Sequence, residues 1–227
     1  METTYIAKTL FGLEEVLEQE LQDLGAKNLV RHNRAVNFDG DMEMMYKANL
    51  RLRTAVRILK PIHTFEAKNE QELYDGIKEI NWNQYIMTEG KFAIDSVVNS
   101  SYFNHSRYVA LKSKDAIVDQ FRDAFGIRPS VHVSEPDVRI NIHVYEHEVT
   151  VSLDSSGETL HKRGYRLEKN VAPLNEVLAA GLILLSGWDK KSNFVDFMCG
   201  SGTIIIEAAL YACNIAPGKL RKEFGFM

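Results

Sequence analysis

Residues 193–211 read NFVDFMCGSGTIIIEAALY. An apolar run ends in Asp196, passes through a short loop carrying Gly200 and Gly202, and enters an apolar helical pattern at Thr203. This order predicts a strand over 193–197, a tight turn and a helix, the repeating grammar of an α/β sheet. The glycines allow backbone dihedrals and close approaches that a side chain forbids, and a helix start presents N–H groups with no intrahelical acceptor. The loop is therefore expected to hold a polar small molecule against main chain.

Spacing narrows the choice of ligand. A dinucleotide fingerprint requires a third glycine at the place where Ile205 stands, and a phosphate-binding P-loop requires Gly-Lys-Ser/Thr, which does not follow. The run Asp196-Phe197-Met198-Cys199-Gly200-Ser201-Gly202-Thr203 instead resembles the first motif of S-adenosylmethionine-dependent methyltransferases that modify exocyclic amines of nucleic-acid bases. The resemblance implies a cofactor site at Asp196, Met198, Cys199, Gly200, Gly202 and Thr203, with loop backbone under the methionine and ribose parts. Cys199 is read as a small residue packing under the loop, because methylation of an exocyclic amine needs no covalent base adduct and no general base partner is visible in the sequence. Members of that family also hold the ribose with an acidic residue after the second strand. They hold the target amine with an Asn/Asp-Pro-Pro-aromatic tetrapeptide after the fourth. The five prolines here are never adjacent, so the chain is expected to stop inside its methyltransferase domain, with no catalytic residue among its 227.

Composition is that of an ordinary globular protein, 45% hydrophobic and 26% charged. No stretch approaches the ~20 apolar residues that span a bilayer. No basic and apolar leader opens the chain, and the cysteines at 199 and 213 form neither a zinc cluster nor a disulfide framework, so the cytoplasm is expected and no metal site is assigned. The formal net charge of −4 argues mildly against nucleic-acid binding but leaves room for a local basic patch.

Residues 3–10 read as a strand, and Leu13, Val16, Leu17, Leu21 and Leu24 then share a helical face that Gly25 ends. An extended stretch over 28–38 breaks at Asp39-Gly40. A helix carrying Met44, Met45, Ala48 and Leu52 and a strand over 55–62 follow, which suits a small ferredoxin-like module over 1–64. Further on, Asn69 is a helix cap for a segment ending at Ile80, Trp82 is expected to be buried, and 91–98 reads as a buried strand. Ser113 is taken as the cap of a helix presenting Ile117, Phe121 and Phe125 and closing at Gly126. Alternation at Val138, Ile140, Ile142 and Val144 and again at Val149, Val151 and Leu153 predicts a hairpin turning at Glu146-His147.

Strand, helix, strand, helix and hairpin in this order over 65–155, with HSRYVALKSKDAIVDQF at 105–121, resemble the THUMP domain, an RNA-binding module found in tRNA thiolation, deamination and methylation enzymes. Together with the ferredoxin-like module and the glycine loop, the chain resembles bacterial large-subunit ribosomal RNA guanine-N2 methyltransferases, often labelled adenine-specific DNA methylases. The overall expectation is an α+β chain: a ferredoxin-like module, a THUMP domain, a linker over 156–171, and the first elements of a Rossmann-like methyltransferase domain over 172–227. Arg107, Lys112 and Lys114 are the candidate RNA contacts of the central domain, the two lysines flanking the helix start expected at Ser113. Lys162, Arg163 and Arg166 in the basic run LHKRGYR are the candidates of the linker. The helix after it, starting at Ala172-Pro173-Leu174-Asn175-Glu176, is expected to bury Leu174, Val177, Leu178, Leu182 and Leu185.

The resemblance implies methyl transfer from S-adenosylmethionine to an exocyclic amine of guanine in 23S ribosomal RNA. A stand-alone RNA-binding adaptor, or the same chemistry on tRNA or on DNA adenine N6, stays open. An incomplete last domain also predicts bare apolar surface from Asn193 onward, which packs on another copy of the chain, borrows the helix over 173–188 as cover, or frays.

Overall fold

The computed structural model of the chain describes residues 2–166 and 173–226. They divide into two compact units, Met1–Leu59 with Glu158–Met227, and Lys60–Gly157.

The first unit opens with β1 (Thr3–Lys8), α1 (Glu14–Leu24), β2 (Lys27–His32), β3 (Ala35–Gly40) and α2 (Met42–Arg51), followed by the start of β4 (Arg57–Glu66). This is the expected β-α-β-β-α-β order, with its strands arranged β2-β3-β1-β4. The sequence reading ran β2 and β3 together as one stretch over 28–38. The chain reverses at Asn33-Arg34 instead, with Arg34 at φ 57°, a left-handed turn that no glycine announces. Asp41 caps α2 by accepting from the Met44 N–H at 2.8 Å. Leu17 and Leu21 of α1 are wholly buried against Tyr5, Val36, Phe38 and Ile58, each contributing roughly 1.5–3 kcal/mol.

The C-terminal part of the chain completes this unit. Helix α5 (Glu176–Leu185) is capped by Asn175, whose Oδ1 accepts from the N–H groups of Val177 and Leu178. It lies close to α1: a Cβ on Gly181 would fall 2.5 Å from Leu13 Cδ1, so glycine is what lets the two approach. The buried face holds Val177, Ala179, Ala180 and Ile183, while Leu182 and Leu185 are exposed, contrary to expectation. Every position of α5 is apolar or small except Glu176, so periodicity could not choose its inner face. Helix α6 (Thr203–Ala212) packs on α5. Leu160 joins the core beside Ile58, so the described part of the supposed linker is packed structure. The expected helix residue Ala172 and the linker residues 167–171 lie outside the described residues.

The second unit continues β4 and adds α3 (Glu70–Glu79), β5 (Lys91–Asn99), α4 (Ser106–Phe125), β6 (Ser130–Val131), β7 (Val138–Tyr145) and β8 (Glu148–Asp154). Its strand order is β4-β8-β7-β5-β6, with β5 and β7 parallel and β7 and β8 forming the expected hairpin. Asn69 caps α3, its Oδ1 accepting from Gln71 and Glu72 at 3.0 Å each. Trp82 is fully buried and donates its indole N–H to the Ile77 carbonyl at 2.8 Å.

Ser113 does not start a helix. Helix α4 begins seven residues earlier at Ser106, and Ser113 is buried in its middle with Oγ donating to the Val109 carbonyl at 2.8 Å. The true start is preceded by His105, which makes no side-chain cap bond, so the sequence carried no capping signal there. Among the described residues no helix is long and apolar enough to cross a membrane, and no cluster of three or more His, Cys, Asp or Glu could hold a metal ion.

Candidate functional site

The glycine loop lies in the first unit. Residues 193–197 are not a strand: a parallel strand needs a neighbour to accept its ladder, and no described strand pairs with it. Val195, Phe197 and Met198 are accordingly 65%, 92% and 91% exposed. Asp196 turns the chain by accepting from the Met198 N–H at 3.0 Å. Gly200 and Gly202 sit at φ 53° and 75°, both left-handed, and the Gly202 N–H closes the turn on the Cys199 carbonyl at 2.7 Å. Gly202 is the N-cap of α6, so the N–H groups of Thr203, Ile204 and Ile205 have no intrahelical acceptor. A Cβ on Gly200 would meet nothing nearer than the Met198 carbonyl at 4.0 Å, and on Gly202 nothing nearer than Ile206 Cδ1 at 4.0 Å, so the space beside both is open. Cys199 is exposed and does not pack under the loop as expected.

Behind the loop, the arginines of the run 160–166 turn inward. Arg166 pairs through Nε with Glu176 and donates through Nη2 to Thr203 Oγ1 at 2.8 Å and to the Leu174 carbonyl at 3.0 Å. Its Nη1 donates to Ser201 Oγ at 3.3 Å. Arg163 is buried: Nε lies 3.5 Å from Glu207, with the two side chains 2% and 0% exposed. Its Nη1 donates to the Leu160 carbonyl at 2.8 Å and its Nη2 to the Arg53 carbonyl. Arg163 is buried, so its reading as an RNA contact is corrected, whereas Arg166 stays 24% exposed at the side chain with its donors engaged by Glu176, Leu174, Ser201 and Thr203. Lys162 does face outward, 55% exposed, and pairs with Glu158 four residues back.

The same network reaches the N-terminal residues. Arg53 donates to the Leu210 and Ile215 carbonyls at 3.2 and 2.8 Å, while its own N–H and that of Thr54 donate to Glu20. Burial pushes the Glu20 and Glu207 carboxyls above the usual range, outweighing the arginines beside them. Burial, and then the charges of Glu207 and Glu176, push the Tyr165 phenol up as well, and its O–H donates to Glu207 at 3.1 Å.

In the second unit, the candidate RNA residues lie along α4. Arg107 is exposed in its first turn. Lys112 and Lys114 are mid-helix rather than beside a helix start, and there they gain nothing from terminal N–H groups. Lys112 lies over the Tyr74 ring at 5.1 Å, and Lys114 pairs with Asp115 at 2.6 Å. Lys112, Arg122 and Arg128 line a cleft of about 380 Å³ that also holds Asp115 and Asp119, so its charge is mixed.

Three domain families match in sequence: the RlmL ferredoxin-like domain over residues 4–59, the THUMP domain over 67–154, and the RMKL-like methyltransferase domain over 163–227. The chain carries a THUMP domain set between a ferredoxin-like module and the opening of a methyltransferase domain. A ribosomal RNA large subunit methyltransferase K/L of Syntrophotalea carbinolica is 42% identical over 95% of this chain, which spans 31% of that relative. Among solved structures, a predicted N6-adenine-specific DNA methylase of Listeria monocytogenes superposes with a TM-score of 0.85 at 32% identity, over 100% of this chain and 59% of that one. SMU.472, solved in complex with SAH, superposes with a TM-score of 0.84 at 34% identity, over 99% of this chain and 59% of that one. The chain thus spans less than two thirds of each.

The methyltransferase opening and the ferredoxin-like module share one compact unit, whereas the THUMP domain lies in the other. Sequence reading missed what ties that unit together. Glu20 and Arg53 stood out nowhere in the chain, because each looks like a surface charge on an amphipathic helix or at its end. The one available signal was Glu207 itself, a lone carboxylate inside the apolar run TIIIEAALYA.

Proposed function

We propose that this chain is the RNA-binding and cofactor-entry part of an S-adenosylmethionine-dependent methyltransferase that acts on an exocyclic amine of guanine in 23S ribosomal RNA. The observation that carries the reading is the glycine loop at 196–203, left-handed at Gly200 and Gly202 and open beside both, leading into the uncapped start of α6. Its presence in a chain with a THUMP domain fits the name of the 42% identical K/L relative and the SAH found with the 34% identical neighbour.

The residues present fit such a cofactor. Asp196, Met198, Cys199, Gly200, Gly202 and Thr203 would hold it, through main-chain N–H groups of the loop and helix start and through the open space beside the glycines. When bound there, S-adenosylmethionine supplies an electrophilic methyl group on a sulfonium. The chain's own contribution is positional: the loop fixes one end of the cofactor site, and Arg107, Lys112, Lys114 and Lys162 are the residues proposed to meet RNA phosphate. The 227 residues by themselves are proposed to transfer no methyl group, since no Pro-Pro tetrapeptide stands among them to hold the amine.

The neighbour titled as a DNA methylase favours a second reading, duplex DNA as substrate. The THUMP domain weighs toward RNA. Isothermal titration with S-adenosylmethionine tests the cofactor, and gel-shift competition among 23S rRNA fragments, tRNA and duplex DNA tests the nucleic acid. Weak but selective cofactor binding and preference for rRNA are expected. Equal binding of ATP and S-adenosylmethionine, or preference for duplex DNA, would overturn the respective half.

A further inference from the structure

The geometry points to Arg166 as a positioning residue that clamps the glycine loop in the shape that receives the cofactor, an inference that rests on the cofactor reading above. One guanidinium touches two segments separated in sequence: Leu174 and Glu176 at the start of α5, and Ser201 and Thr203 where the loop becomes α6. A planar fork with donors in fixed directions can do this, and a point charge cannot.

The loop has little else to hold it. Among the described residues its internal ties are few, the Asp196–Met198 turn, the Gly202–Cys199 bond and the Ser201–Thr203 hydroxyl contact, and Phe197 and Met198 are almost bare. Two left-handed glycines cost conformational entropy to order, and no sheet flanks the preceding residues to offset it. Glu176 is buried at 5% exposure, and a buried polar group is costly unless a partner bonds it. Arg166 satisfies that carboxylate and, through the same group, fixes the hydroxyls of Ser201 and Thr203, themselves 3.3 Å apart. The start of α5 and the start of α6 are thereby held to one another on the side of the open glycines.

The test uses the 227-residue chain and two readouts. Amide exchange at Gly202 and Ile206 is followed by NMR without ligand, with the amides of α1 as the control for folding, and S-adenosylmethionine affinity is measured by titration. Arg166→Met is expected to speed exchange at both amides by about tenfold while α1 is unchanged, and to weaken cofactor binding by a similar factor. Arg166→Lys is expected to keep the melting midpoint through its charge on Glu176 yet lose the loop protection, which separates positioning from general stability and serves if the methionine variant does not fold. Unchanged exchange in both variants, or full protection in Arg166→Lys, overturns the clamp whatever the cofactor does. If the wild-type chain binds no S-adenosylmethionine while the exchange responds as expected, the clamp on the loop stands and the cofactor reading falls.

Discussion

Replacing Arg163 with Met removes the guanidinium from a site where water cannot substitute for it. Arg163 and Glu207 are 2% and 0% exposed at the side chain, and their closest approach is 3.5 Å. Taking one partner from a buried ion pair costs about 3–5 kcal/mol, because the remaining charge is left in a medium that solvates it poorly. That is a large fraction of the roughly 5–15 kcal/mol that stabilises a domain. The cost should depend on pH. Burial already raises the Glu207 carboxyl above its ordinary value, and the Arg163 charge opposes that rise, so removing Arg163 raises it further. A carboxyl whose folded pKa is raised destabilises the fold increasingly as pH climbs from the ordinary carboxylate range through the folded value, and not below it. The penalty of Arg163→Met is therefore largest near neutrality and shrinks toward pH 4. In the double variant Arg163→Met/Glu207→Leu most of it should disappear. Denaturant titration read by hydrogen exchange of peptides from α6, with α4 peptides as the control from the other unit, measures this directly. A penalty below about 1 kcal/mol, or one equal at pH 4 and pH 7.5, refutes the argument that this pair is buried and coupled.

Asn69→Ala should cost about 0.5–2 kcal/mol, as loss of a helix cap does, whereas Ser113→Ala should cost well under that, and thermal melts of the two compare them. Gly76→Ala would place a Cβ 2.2 Å from the Phe65 ring and is expected to destabilise the second unit by about 1–3 kcal/mol by the same measurement. Lys112→Glu with Lys114→Glu should leave the fold intact and reduce the salt slope of log K for RNA by roughly 1.4–1.8, and an unchanged slope means the two lysines do not meet phosphate.

Local signals carried much of the fold. The cap at Asn69, the stop at Gly126 in its left-handed conformation, and the alternation over 138–153 were legible because each depends on a few adjacent residues. The signals failed where the deciding partner was far away in sequence. Ser113 has the chemistry of a cap, yet α4 runs through it because Val109, Ala116 and Ile117 form one buried stripe, and a small hydroxyl can return its hydrogen bond to the helix. The apolar run at 193–197 has the composition of a strand but no neighbour to pair with, and a strand is defined by its neighbour.

The candidate site divides the same way. The sequence by itself determined the glycine loop, because two left-handed positions ahead of an apolar helix require glycine at Gly200 and Gly202 and leave that mark in the chain. It also determined the order of most helices and strands, since periodicity and turn residues are local. Only the tertiary structure decided what the charges do. The arginines at 163 and 166 and the lysine at 162 read as one basic run, and folding sends two of them inward to buried carboxylates and one outward to solvent. A charge declares its type in the sequence, but its role follows from the dielectric and the partners around it, and those are assembled from residues up to 110 positions apart.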